Sequence, residues 1–275
     1  MGKRWGEALT EPQVAEGRSD HLTGCRWWHT ILEMLDEVPK MKMFRHLAVM
    51  AVLALGALGV NAQDYRKGLE AYNSGDYQTA LQEWKPLADK GDTTSQTDIG
   101  WMYDQGKGLT ESDAEAVKWY SLAAKKGYPR AQYLLGMMYL QGNGVIKDYG
   151  LALNWFSLAA AQGDAGAEFS IGYLYNYGKG VPQNYKTALD WFRLSAKQGN
   201  AAAQGMFALK YKHGEGVLQD NVKSYMWYNL ASANGITQAA ASRDEIAAKM
   251  TPEDISKAQA MANECMSSGY ENCGW

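Results

Sequence analysis

An all-α fold, a right-handed α-solenoid of stacked antiparallel helix pairs, is predicted by three observations. Gly91, Gly127, Gly163, Gly199 and Gly235 stand 36 residues apart. Trp119, Trp155, Trp191 and Trp227 keep the same step, and so do Tyr103, Tyr139, Tyr175 and Tyr211. A period of this length, held without insertion or deletion, marks a stacked repeat protein. It also moves the functional question from single catalytic groups to a surface.

The unit 128–163 shows how each element arises. Pro129 suits the first turn of a helix, where its missing N–H is not needed. Ala131, Leu135, Gly136 and Tyr139 then share one helical face. Gly142 is placed to end that helix in the left-handed conformation. The linker recurs as Gly106–Leu109, Gly142–Val145, Gly178–Val181 and Gly214–Val217, each of the form G-x-G followed by Leu or Val. It is no phosphate loop, since it follows a helix rather than a strand and lacks G-K-[ST].

A second helix starts after Ser112, Asp148, Asn184 and Asp220, all strong N-cap types. Ala116, Ala152, Ala188 and Ser224 leave room for a neighbouring helix. The pairs Trp119–Tyr120, Trp155–Phe156, Trp191–Phe192 and Trp227–Tyr228 are expected to fill the space between units, with Leu122, Leu158, Leu194 and Leu230 extending the filling. Residues 64–90 read as a shorter hairpin turning at Asn73–Asp76, with Trp84 in its second helix. Past Gly235 come one helix over 236–250 and a last one capped by Thr251 and led by Pro252. The total is about twelve helices and no strands.

All 17 tyrosines lie at or after Tyr65. The change of composition coincides with an apolar run, Leu47–Val60, preceded by Lys42 and Arg45 and followed by Val60-Asn61-Ala62. This layout is that of a secretory signal peptide, 41–62, cleaved before Gln63. The run is short for a bilayer span, which needs about 20 residues, so no integral membrane span is expected after cleavage. Residues 1–40 then read as an upstream start-site artefact, the rival being a cytoplasmic arm ahead of a signal anchor. The organisation expected is 63–91 N-terminal hairpin, 92–127, 128–163, 164–199 and 200–235 repeats, and 236–275 C-terminal capping helices and tail.

The formal net charge is −3, and basic residues are scattered. That argues against nucleic acid or an anionic membrane as partner. Cys265 and Cys273 follow the export signal and read as a disulfide; their C-x7-C spacing is not that of a redox pair.

The pattern Ala131, Leu135, Gly136, Tyr139, Gly142, Gly144, Val145, Asp148, Ala152, Trp155, Phe156, Ala159, Ala160, Gly163 resembles the Sel-1-like repeat, a relative of the tetratricopeptide repeat. Four full units over 92–235 match it, and Ala208 departs from the repeat glycine. The resemblance implies an adaptor that binds other proteins or peptides in bacterial envelope or signalling assemblies, without catalysis, and a periplasmic or secreted location. It also implies an alternative, because some exported relatives are labelled β-lactamases or penicillin binders. The standard serine chemistry needs S-x-x-K, and no serine after Gln63 has a lysine three residues on. The one histidine after Gln63, His213, sits at a helix end with no identifiable triad partner. No metal site and no cofactor are expected.

In arrays of this type the first helix of each pair lines the inner surface. Positions there that vary between units are Thr97, Tyr133, Phe169 and Gly205; Trp101, Met137, Tyr173 and Leu209; and Gln105, Gln141, Tyr177 and His213. Trp101, Tyr133, Met137, Phe169, Tyr173 and Tyr177 are therefore the candidate partner-binding residues, since large rigid aromatics make good interface anchors. The competing account is that they pack between first helices.

Overall fold

The computed structural model describes residues 64–275; the expected signal peptide at 41–62 and the segment 1–40 lie outside them. Twelve helices are found among the described residues, and no strand: α1 (64–74), α2 (Tyr77–Asp89), α3 (Thr93–Asp104), α4 (Asp113–Lys125), α5 (Pro129–Gln141), α6 (Tyr149–Ala160), α7 (Ala165–Tyr177), α8 (Tyr185–Lys197), α9 (Ala201–His213), α10 (Asn221–Ala233), α11 (Thr237–Ala247) and α12 (Pro252–Ser267).

Local chemistry sets the helix starts. Ser112, Asp148, Asn184 and Asp220 accept hydrogen bonds from the N–H groups of Glu115, Leu151, Thr187 and Lys223 at 2.9–3.3 Å. Each satisfies a donor that the first helical turn leaves free, a contribution of about 1 kcal/mol. Asp92, Asp164 and Asn200 do the same for α3, α7 and α9, while α5 relies on Pro129. Gly142, Gly178 and Gly214 end α5, α7 and α9 at φ 63–85°, where glycine has no Cβ to clash.

Helices pack as sequential pairs, α3 with α4, α5 with α6, α7 with α8 and α9 with α10, and each second helix packs on the next first helix. The repeat glycine explains the pair distance. A Cβ on Gly100, Gly136 or Gly172 would lie 2.6–2.7 Å from ring carbons of Tyr120, Phe156 or Phe192. Those rings are fully buried because the facing helix offers bare backbone.

The core divides into clusters at the junctions between units. One joins α4 to α5 (Ala116, Tyr120, Leu135, Met138), another α6 to α7 (Ala152, Phe156, Ile171, Leu174). The periodic aromatics tie neighbouring clusters together. Tyr103 packs on the α2–α3 and α4–α5 clusters, and Tyr139 on the α4–α5 and α6–α7 clusters. Trp119, Trp155 and Trp191 each reach back onto the cluster before their own helix.

One expectation fails. Leu122, Leu158 and Leu194 do not extend the core; they are 46–50% exposed. In α4 the inward positions are Ala116, Tyr120, Ala123 and Ala124, and Leu122 falls on the other side of the helix. Leu230 alone is buried, because α12 packs against α10 and joins its cluster through Ala258 and Ala262. The tail then folds back: Cys265 and Cys273 form a buried disulfide with Cα atoms 4.5 Å apart. Trp275 meets Trp227 and Phe207 at ring distances of 5.0 and 5.6 Å.

Candidate functional site

The linker glycines also build the joints that position the candidate site. The second glycine of each linker lies against the first residue of the previous unit's second helix: Gly108 on Tyr77, Gly144 on Asp113, Gly180 on Tyr149 and Gly216 on Tyr185. The residue between the two glycines is thereby held near that helix start. In the first joint it is Lys107, whose Nζ lies 5.9 Å from the centre of the Tyr77 ring. In the third it is Lys179, 5.9 Å from Tyr149, 4.7 Å from Tyr173 and 5.9 Å from Tyr177. Lys179 also donates to Tyr173 Oη at 2.8 Å, a bond that raises the ammonium pKa.

The fourth joint is built differently. Glu215 stands between the glycines and pairs with Lys210, which is 1% exposed. Lys210 occupies the repeat position held in the core by Met102, Met138 and Leu174. Its Nζ sits 4.2 Å from the Tyr185 ring centre, so carboxylate and π-face together stand in for lost hydration.

The second joint opens into a cavity of about 510 Å³ between α3 and α5, lined among others by Trp101, Tyr120, Tyr133, Met137, Asp104 and Asp113. Tyr120 donates to Asp104 Oδ2 at 3.4 Å. Burial, and then the Asp104 charge, push the Tyr120 hydroxyl well above its usual 10.0. Trp101 Nε1 donates to Tyr72 Oη at 3.2 Å, which fixes the indole at the rim.

The six residues singled out from sequence thus divide. Trp101, Tyr133 and Met137 meet in the cavity. Tyr173 and Tyr177 pack together at 4.7 Å around Lys179, with Tyr177 49% exposed. Phe169 packs on the buried Phe192 ring at 5.6 Å and is half-buried. Tyr133 has a share in both roles, because its ring also meets Phe156 at 5.9 Å. His213 is exposed at the end of α9. No group of three or more His, Cys, Asp or Glu among the described residues is arranged to hold a metal.

Sequence reading missed Asp104, Glu111, Asp113 and Tyr120 as lining residues. The signal was present in the 36-residue alignment: Asp113 stands where the other three joints have Tyr77, Tyr149 and Tyr185 (the last unit has Asn221), and Asn143 where they have Lys107, Lys179 and Glu215. A polar ladder was missed as well. Gln162, Gln198 and Asn234 donate side-chain amides to Gln132, Glu168 and Gln204 of the preceding first helix at 2.8–2.9 Å.

A family model described as Sel1 repeat matches residues 93–128, 129–164, 165–200 and 201–236. The crystal structure of a Sel1 repeat protein from Oxalobacter formigenes superposes with a TM-score of 0.63 at 36% identity, covering 66% of this chain and 74% of that one. So does that of c5321, described as a protective antigen present in uropathogenic Escherichia coli strains displaying an SLR fold: TM-score 0.63, 32% identity, 72% of this chain and 44% of that one. Among curated proteins, an exopolysaccharide production negative regulator of Rhizobium leguminosarum bv. viciae is 36% identical over 61 residues, 22% of this chain. That match spans 23% of the regulator's length.

Proposed function

The chain belongs to the Sel1 repeat family, and on that premise we propose that it is a non-enzymatic, exported scaffold that binds a protein or peptide of the bacterial envelope through the inner face of its first helices. The observation that carries the reading is the meeting of Trp101, Tyr133 and Met137 in one cavity of about 510 Å³. Clefts that hold a ligand have this scale, and half of the twelve lining residues here are polar or acidic. The exposed Tyr177 and the half-buried Tyr173 continue the face on α7. The buried Cys265–Cys273 disulfide favours an oxidising compartment, periplasmic or secreted, in keeping with the leader-like layout of 41–62.

Affinity capture from an envelope fraction tests the reading, run with the natural chain and with Trp101→Ala/Tyr177→Ala. A partner retained by the first and lost by the second, at matched helical melting curves, supports it. Equal capture by both removes the inner face as the binding surface. Turnover of a chromogenic cephalosporin by the purified chain would overturn the non-enzymatic part.

A further inference from the structure

Three of the four joints carry a lysine of the chain itself against a tyrosine: Lys107 on Tyr77 and Lys179 on Tyr149 from the linker, and Lys210 on Tyr185 from α9. In the second joint both halves of the pair are replaced. Asn143 takes the lysine's place and Asp113 the tyrosine's, and this is the joint that opens into the α3–α5 cavity.

The charged residues lining that cavity are Asp104, Glu111 and Asp113, and no lysine or arginine lines it. Arg130, whose charge reaches Tyr120, faces Asp98 instead at 3.9 Å. Trp101, Tyr120 and Tyr133 contribute aromatic surface to the lining. A carboxylate set with aromatic walls complements a cation on a long apolar stem.

We propose that the cavity receives a lysine side chain from the partner polypeptide, which completes the second joint as the chain's own lysines complete the other three. The inference rests on the reading of the inner face as the binding surface, and it adds the chemistry of the anchor. Asp113 and Glu111 meet the ammonium, Trp101 and Tyr133 cover its methylenes, and Asn143 leaves room for the stem.

The test uses the full chain with 15N-labelled tryptophan, the Trp101 indole N–H being assigned with Trp101→Phe. The probe is a blocked pentapeptide, Ala-Leu-Lys-Leu-Ala, beside analogues carrying norleucine or glutamate at the centre. The lysine peptide is expected to give a saturable shift of the Trp101 signal by ~10 mM, with the norleucine peptide roughly tenfold weaker and the glutamate peptide silent. Asp113→Tyr/Asn143→Lys, which imports the third joint's pair, is expected to abolish the shift. Asp113→Asn, a minimal change, should weaken it several-fold. Equal shifts by the lysine and norleucine peptides would overturn the cation while sparing the surface. No shift by any peptide would overturn both. An unchanged response in the two Asp113 variants would overturn the assignment to this joint.

Discussion

Gly136→Ala puts the origin of the pair distance to the test. A Cβ at this position would stand 2.6 and 2.7 Å from Phe156 Cε1 and Cδ1, and 3.2 Å from Cζ. Ordinary contact begins near 3.4 Å, so the ring must retreat by roughly 0.7–0.8 Å. Phe156 is fully buried, so its retreat displaces Ala152, Ile171 and the rest of the α6–α7 cluster. Overpacking of this kind costs ~1–3 kcal/mol. Alanine repays up to ~1 kcal/mol through its better helix propensity. The net expectation is a loss of about 1 kcal/mol, a fall in melting temperature of ~2–4 °C for a domain of this size. Gly150→Ala, at an exposed position of α6, is the internal control: its Cβ meets only Asp148 Oδ1, at 3.3 Å, and should leave stability unchanged or raised by up to ~1 kcal/mol. Denaturant unfolding followed by far-UV circular dichroism measures both. Phe156→Leu added to Gly136→Ala should cost less than the two changes summed. Equal stability of Gly136→Ala and the natural chain, with no coupling to Phe156, would refute the close-approach argument.

Three further outcomes are expected. Lys210→Leu installs the residue found at position 174 and should be neutral or stabilising by ~1–2 kcal/mol, whereas Glu215→Ala, which strands the buried ammonium, should destabilise by about 2 kcal/mol; chemical denaturation compares them. Burial lifts the Glu168 carboxyl above its ordinary 4.5, with the Gln198 hydrogen bond opposing. The folded state therefore holds that proton more tightly than the unfolded chain, and its stability falls as pH rises through the folded pKa. Thermal melts should show Glu168→Gln gaining on the natural chain as pH rises above the carboxyl's ordinary 4.5. Cys265→Ser/Cys273→Ser removes a short covalent loop worth about 2.5 kcal/mol in the chain-entropy model and should expose Trp275 to quenchers in a fluorescence titration.

Legibility followed the range of the interaction. Ser112, Asp148, Asn184 and Asp220 were readable as caps because the bond spans three residues. Trp155 and Tyr139 were readable as packing residues because their recurrence at 36 residues has no other physical reason. The Cys265–Cys273 pair was readable because an even pair after an expected export signal leaves few choices. Leu122, Leu158 and Leu194 were misread, since recurrence shows that a residue serves the repeat but not which face it takes. Leu230 is buried by α12, a contact that no single unit contains. The cavity escaped because Asp113 has two identities. Within its own helix it is an ordinary acidic first-turn residue; only among the four joints, beside Tyr77, Tyr149 and Tyr185, does it stand apart.

The backward reach of each tryptophan has a consequence for how the chain acquires its structure. The α4–α5 cluster holding Leu135 and the α6–α7 cluster holding Ile171 are covered in turn by Trp155 and Trp191 of the next helix. Assembly is thus a relay in which every newly synthesised unit finishes its predecessor, through contacts between neighbours in sequence and at low contact order. The last runner is different: Trp227 is covered by Trp275, delivered by the disulfide-closed tail. Reduction of the Cys265–Cys273 bond is therefore expected to loosen the Trp275 cover on Trp227 while leaving the clusters of the earlier units in place.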